Sequence, residues 1–134
     1  MSALPPYQGT GSNFADLVMV LDRDLEAHAA TLRRAVKEVH TCVVADGVSG
    51  VAVILPAGTR QVAPAAALEA QLRGLVPEGE VLLLAPEPVL QQTFAALMQT
   101  PPDAATVRFL PGCITRIQPL PGRAVLRHLN LGGA

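Results

Sequence analysis

The sequence predicts an α/β (or α+β) domain: a mixed sheet of five to seven strands with one long N-terminal helix, two shorter helices and a C-terminal β-hairpin. Three observations carry this. Glu80-Val-Leu-Leu-Leu-Ala85 is a short, unbroken apolar run, the composition of a strand covered on both faces in a mostly parallel sheet. Pro86-Glu-Pro88 and an amphipathic stretch to Met98 follow at once, so that strand passes directly into a helix. Residues 14–39 repeat apolar positions at spacings of four and three, the period of a helix.

The 134 residues suit a single domain, divided into an irregular lead (1–13), the long helix (14–39) and an α/β body (40–134). Half the residues are hydrophobic, 16% are charged and the net charge is −1, which excludes a disordered chain and a basic nucleic-acid surface. With one Tyr, three Phe and no Trp, few rings are available to stack on bases. The apolar runs are too short to span a membrane, and no basic-then-apolar leader is visible. Cys42 and Cys113 lie in separate strand-like runs without metal-ligand spacing, as buried free thiols do. The expectation is a cytoplasmic protein with no nucleic-acid and no membrane partner.

In the lead, Gly9-Thr10-Gly11-Ser12-Asn13 has neither a strand before it nor a Lys after it, so it reads as a capping loop rather than a phosphate cradle. The helix that follows presents Phe14, Val18, Leu21, Leu25, His28 and Leu32 as a narrow seam. Acidic residues occupy its first half and basic ones its second, in keeping with the helix dipole. That seam is wider than a small sheet needs, and it predicts a two-fold homodimer through this helix. His28 reads as packed at the seam's edge, and His40 as closing the helix.

Residues 41–45 and 51–55 are β-rich runs around Asp46-Gly47 and predict a hairpin. Residues 59–62 read as a short strand or a loop, and residues 64–75 as a helix opened by Pro64. Beyond the central strand and its helix, residues 106–110 predict a strand. Residues 113–118 and 123–129 predict a hairpin across Pro119-Leu-Pro-Gly122, with a frayed tail.

Few residues point to chemistry. His28, His40 and His128 have no paired spacing and no Cys or acidic cluster beside them, so neither a metal nor a cofactor is expected. No Gly-x-Ser-x-Gly elbow occurs, and Asp22 and Asp24 would leave a helix on different sides. Charge is uneven: six basic residues face eleven acidic ones up to Asp103, and only Arg108, Arg116, Arg123 and Arg127 follow. Such an end either holds a small anionic ligand or an acidic protein surface, or decorates hairpin strands and blunts a sheet edge.

From Gly79 onward the chain resembles the C-terminal part of the histidine phosphatase (phosphoglycerate mutase-like) superfamily. The resemblance rests on Glu80-Val-Leu-Leu-Leu-Ala85 and its helix, on Pro111-Gly-Cys-Ile-Thr-Arg-Ile117, and on Ala124-Val-Leu-Arg-His-Leu-Asn130. It spans about 50 residues, under half of the chain. In that family the buried strand ends in a Ser-His-Gly-Gly type turn, and an N-terminal strand ends in Arg-His-Gly. Here Pro86 falls where the second catalytic His would be, and Glu87 on the following Gly. No Arg-His-Gly occurs in residues 1–40, and Arg127-His128 is followed by Leu129. A Pro has no nucleophile and no donor, so the family's phosphoryl-accepting step has nothing to act through. The resemblance implies a non-catalytic, phosphatase-like domain acting through protein contacts, or else an unrelated α/β fold of similar rhythm. The alternative is a phosphoester hydrolase, or a binder of small phosphorylated ligands, using Arg60, Arg108, Arg116 and Glu87 near the central strand end.

Overall fold

The computed structural model describes residues 15–99, 107–120 and 123–132. Six strands run through it: β1 (Leu17–Leu21), β2 (Val39–Val44), β3 (Arg60–Val62), β4 (Glu80–Ala85), β5 (Cys113–Leu120) and β6 (Arg123–Gly132). Among them lie helices α1 (Ala29–Ala35), α2 (Val51–Ile54), α3 (Leu68–Leu75) and α4 (Glu87–Met98), and a 3-10 turn at Val76–Glu78. The strands form one mixed sheet in the order β3-β2-β4-β1-β5-β6. The first four in that order are parallel, whereas β5 is antiparallel to β1 and β6 to β5.

The apolar run of β4 is explained by its surroundings. β2 and β1 flank it, pairing Leu83 with Val43 on one side and with Met19 on the other. Alternate side chains then enter two cores. Val18, Val20, Leu82 and Leu84 pack under α1 and α2, against Leu25, Leu32 and Ile54. Leu17, Met19, Val81 and Leu83 pack under α3 and α4, against Leu72, Leu90 and Leu97. With both faces covered, no polar side chain is tolerated inside the strand. Cys42 sits in the first core as a free thiol, and burial pushes it up to about 12.

The long N-terminal helix is not formed. Leu17–Leu21 is a strand with all five residues buried, and only seven residues of the predicted stretch, Ala29–Ala35, are α-helical. The spacing of fours and threes matched residues on two different elements, joined by a turn in which Asp24 adopts φ 57°. Val18, Leu21, Leu25 and Leu32 are therefore core residues of one protomer, between 0 and 3% exposed, and offer no seam to a second copy. Phe14 and the lead lie outside the described residues. His28 is half-buried, and its ring covers Gly112, where φ is 77° and an added Cβ would overlap the imidazole.

Four other expectations change. The hairpin over 41–55 is instead β2 followed by α2, and β2 pairs in parallel with β3 and β4. Gly50 turns the chain with φ 86°, so Val51-Ala-Val-Ile54 becomes one helical turn despite its β-branched residues. Residues 107–110 form no strand, and Thr106 lies outside the described residues. Side chains hold that segment instead: Gln91 donates to the Val107 carbonyl (2.8 Å), Asn130 donates to the Arg108 carbonyl (2.7 Å), and the Leu110 N–H donates to Asn130 (3.3 Å). The C-terminal strands also differ from the expected hairpin in their bounds. Pairing takes in Pro119 and Leu120, which the sequence assigned to the turn, and β6 continues to Gly132. The helix expected from residue 64 begins at Leu68.

The amino ends of β1 and β4 are tied together by charge. Arg116, opposite Val18 on β5, donates to Asp16 and Glu80 (3.2 Å each) and to the Ala35 carbonyl at the end of α1. Arg127 reaches the other oxygen of Asp16 at 3.3 Å. Burial pushes the Glu80 carboxyl above its ordinary range, against the pull of Arg116, and Asp16 and Glu38 add to the rise. Arg116→Ala leaves two carboxylates without their shared partner and should cost about 3 kcal/mol in urea unfolding, the low end for a broken buried pair because Arg127 remains. Leu21→Asp should unfold the protomer itself, seen as lost far-ultraviolet circular dichroism, rather than release folded monomers from a dimer.

Candidate functional site

Parallel strands leave their carboxyl ends at one edge of the sheet, and a crevice opens there. β1 and β4 end side by side: the Asp22 N–H donates to the Ala85 carbonyl at 3.1 Å. Asp22-Arg23-Asp24 leaves β1, and Pro86-Glu87-Pro88 leaves β4 into α4. Burial raises the Asp22 carboxyl above its ordinary value, with Arg23 and its own backbone N–H acting the other way.

The start of α4 is poor in donors. Pro86 caps it in an extended conformation (φ −70°, ψ 162°), and Pro88 occupies its first turn. Two N–H groups are thereby missing from the turn that would face an anion. The Val89 and Leu90 N–H groups both donate to the Pro86 carbonyl (3.0 and 3.1 Å). Glu87 adds a negative charge. Its carboxylate accepts from the Phe109 N–H and from Arg108 Nε, both at 2.9 Å, and these two bonds hold it below its ordinary value near 4.5.

Beside this turn lies a groove of about 510 Å³, lined chiefly by Ala45, Ala65, Leu68, Pro86, Val89 and Thr93. Its outer wall is fastened by Gln71, which accepts from the Ala65 N–H (2.8 Å) and donates to the Ala63 carbonyl (2.9 Å). Two polar side chains of the lining are engaged locally: Thr93 donates to the Val89 carbonyl of its own helix (2.8 Å), and Glu69 pairs with Arg73 (2.7 Å). No activated nucleophile and no base–orienter pair is present among these lining residues.

The structure separates the residues singled out in the sequence. Glu87 and Arg108 meet at the carboxyl end of β4 as an ion pair. Arg116 lies at the opposite end, where Glu80 opens β4, about 20 Å from Pro86 at ~3.3 Å per residue. Arg60, the first residue of β3, pairs with Glu78 at 3.5 Å, just before β4 begins. Among the described residues, no cluster of three or more His, Cys, Asp or Glu forms a metal site, and no helix is long and apolar enough to cross a membrane. The sequence reading missed Asp22 as a crevice residue because its segment was assigned to a helix. The available signal was the five-residue apolar run before it, a second copy of the pattern that identified β4. No protein-family model and no curated protein matches the chain.

The Glu87 bonds set a pH dependence. A carboxyl held below its unfolded value contributes stability above that value, and the contribution is lost as pH falls through the lower folded one. Glu87→Gln should therefore lower the urea midpoint at pH 7, with the gap from the unmodified protein closing below about pH 4. A gap of constant size down to pH 3 would show that the two bonds to Glu87 do not depend on its charge.

Proposed function

We propose that this chain is a non-catalytic, phosphatase-like domain that acts through protein contacts. The pairing of β1 with β4 carries the reading. In the family it resembles, an N-terminal strand ends in Arg-His-Gly and the buried strand ends in a catalytic His. Here the two parallel neighbours end in Asp22-Arg23-Asp24 and Pro86-Glu87. On this reading the two strand ends correspond to the family's motif positions while the chemistry is replaced. Where a phosphoryl acceptor would stand there is a Pro, and where cationic donors would gather three carboxylates, Asp22, Asp24 and Glu87, stand with Arg23 and Arg108.

Electrostatics weigh against the alternative, a site for phosphorylated ligands. Phosphate needs free N–H groups and positive charge. The start of α4 lacks two N–H groups, and of its two nearby cations Arg108 already serves Glu87 while Arg23 offsets Asp22 and Glu87. A reducing cytoplasm suits the two free thiols and is the compartment we propose.

The test is direct. The full chain, incubated with p-nitrophenyl phosphate and separately with radiolabelled acetyl phosphate, should release no nitrophenol and carry no acid-labile label. Inorganic phosphate should leave the amide resonances of Asp22, Asp24 and Glu87 in place. A phosphorylated His28, His40 or His128, or steady nitrophenol release, would overturn the reading.

A further inference from the structure

The outer margin of β6 is the feature that the crevice leaves unexplained. The sheet order places β3 and β6 at its two edges. β3 spans three residues, too few to template much pairing, whereas β6 spans ten. Among the described residues, no strand pairs with the far side of β6. Edges of this length are commonly blunted by bulges, and β6 does carry two irregularities, both beyond Leu126. From Arg123 to Leu126 it runs in unbroken register against Leu120 to Ile117, so this half keeps a regular edge.

The chemistry of that half is specific. Val125 is 39% exposed and follows Arg123 two residues on, while Arg127 is 46% exposed at its side chain. Neither β5 nor β6 contains an acidic residue. Among the described residues, no carboxylate pairs with Arg123, whereas Arg127 and Arg116 together face the carboxylates of Asp16 and Glu80. Among the described residues, the strip therefore combines an unpaired strand edge, exposed apolar area and the positive charge of Arg123.

We infer that the stretch from Arg123 to Leu126 is a docking edge for an extended segment of another protein, with acidic and apolar residues alternating, which adds to the sheet as a seventh strand. Backbone pairing supplies the attachment, and opposite charge across the strands supplies the choice of partner. A second copy of this chain fits less well. The antiparallel register that sets Val125 against Val125 also sets Arg123 against Arg127 twice, and parallel pairing in register sets each Arg against itself. The inference rests on the reading of this chain as a non-catalytic, contact-making domain, but fails separately from it. Absence of binding at β6 removes the docking edge and leaves the phosphoryl-transfer result unchanged.

The test uses the ¹⁵N-labelled full chain and two capped synthetic hexapeptides, one alternating Glu and Val, the other alternating Lys and Val. The acidic peptide should shift the Arg123–Leu126 amides and slow their hydrogen exchange, and the basic peptide should do neither. Arg123→Glu, a substitution of an exposed residue with no described ion pair, should weaken the acidic peptide about fivefold at low salt. The same variant should bind the basic peptide better than the unmodified chain does. Equal binding of both peptides, no binding of either, or shifts without slowed exchange would each overturn the proposal. So would concentration-dependent self-association that protects the same amides without peptide, since a second copy would then be the occupant.

Discussion

Burial of β4 on both edges and both faces is the constraint on which the molecule turns. A strand enclosed in this way accepts only apolar side chains, so polar chemistry is pushed to its two ends. The amino end is closed by the Arg116 guanidinium, shared among Asp16, Glu80 and the Ala35 carbonyl at the end of α1. The carboxyl end stays open because Pro86 turns the chain outward into α4. Strand enclosure thus determines both where the protein is sealed and where it can meet anything else.

What occupies the open end narrows its uses. An anion site at a helix start depends on backbone N–H groups aimed outward and on a field that favours negative charge. Pro86 and Pro88 remove donors, Glu87 opposes the charge, and Arg108 is spent on Glu87. The neighbouring groove is walled by small apolar side chains, and Gln71 pins its rim. These features weigh against an anion site at this end of the sheet.

The parts of the fold that were readable in the sequence are those where local pattern and tertiary role agree. The β4 run, its Pro-Glu-Pro exit and the helix to Met98 belong to this class, since an enclosed strand must be apolar and Pro must sit at a helix start. Residues 17–35 failed because no Gly or Pro separates the strand from α1. Asp24 makes the break with a left-handed backbone that an Asp can adopt, and periodicity ran through it unnoticed. Val51-Ala-Val-Ile54 failed for the opposite reason: its β-branched residues suit a strand, but Gly50 and packing of Val51 and Ile54 into the first core made it helical. Of the candidate site, Glu87 and Arg108 were named without any hint that they bind each other. The Arg116 cluster was invisible because its members lie up to 111 positions apart.

The strand order has a further consequence for how the chain is made. β1 pairs with β4 and β5 but not with β2, so both of its neighbours are synthesised long after it. While the ribosome is still translating the middle of the message, Leu17–Leu21 has emerged with no partner on either edge. Asp16 waits longer still, because one of its guanidinium partners comes from residue 127. Such distant pairings carry a large loop-closure entropy, which slows assembly. The nascent chain therefore exposes Leu17–Leu21 until β4 has been made, and a holdase chaperone that shields this strand would raise its yield.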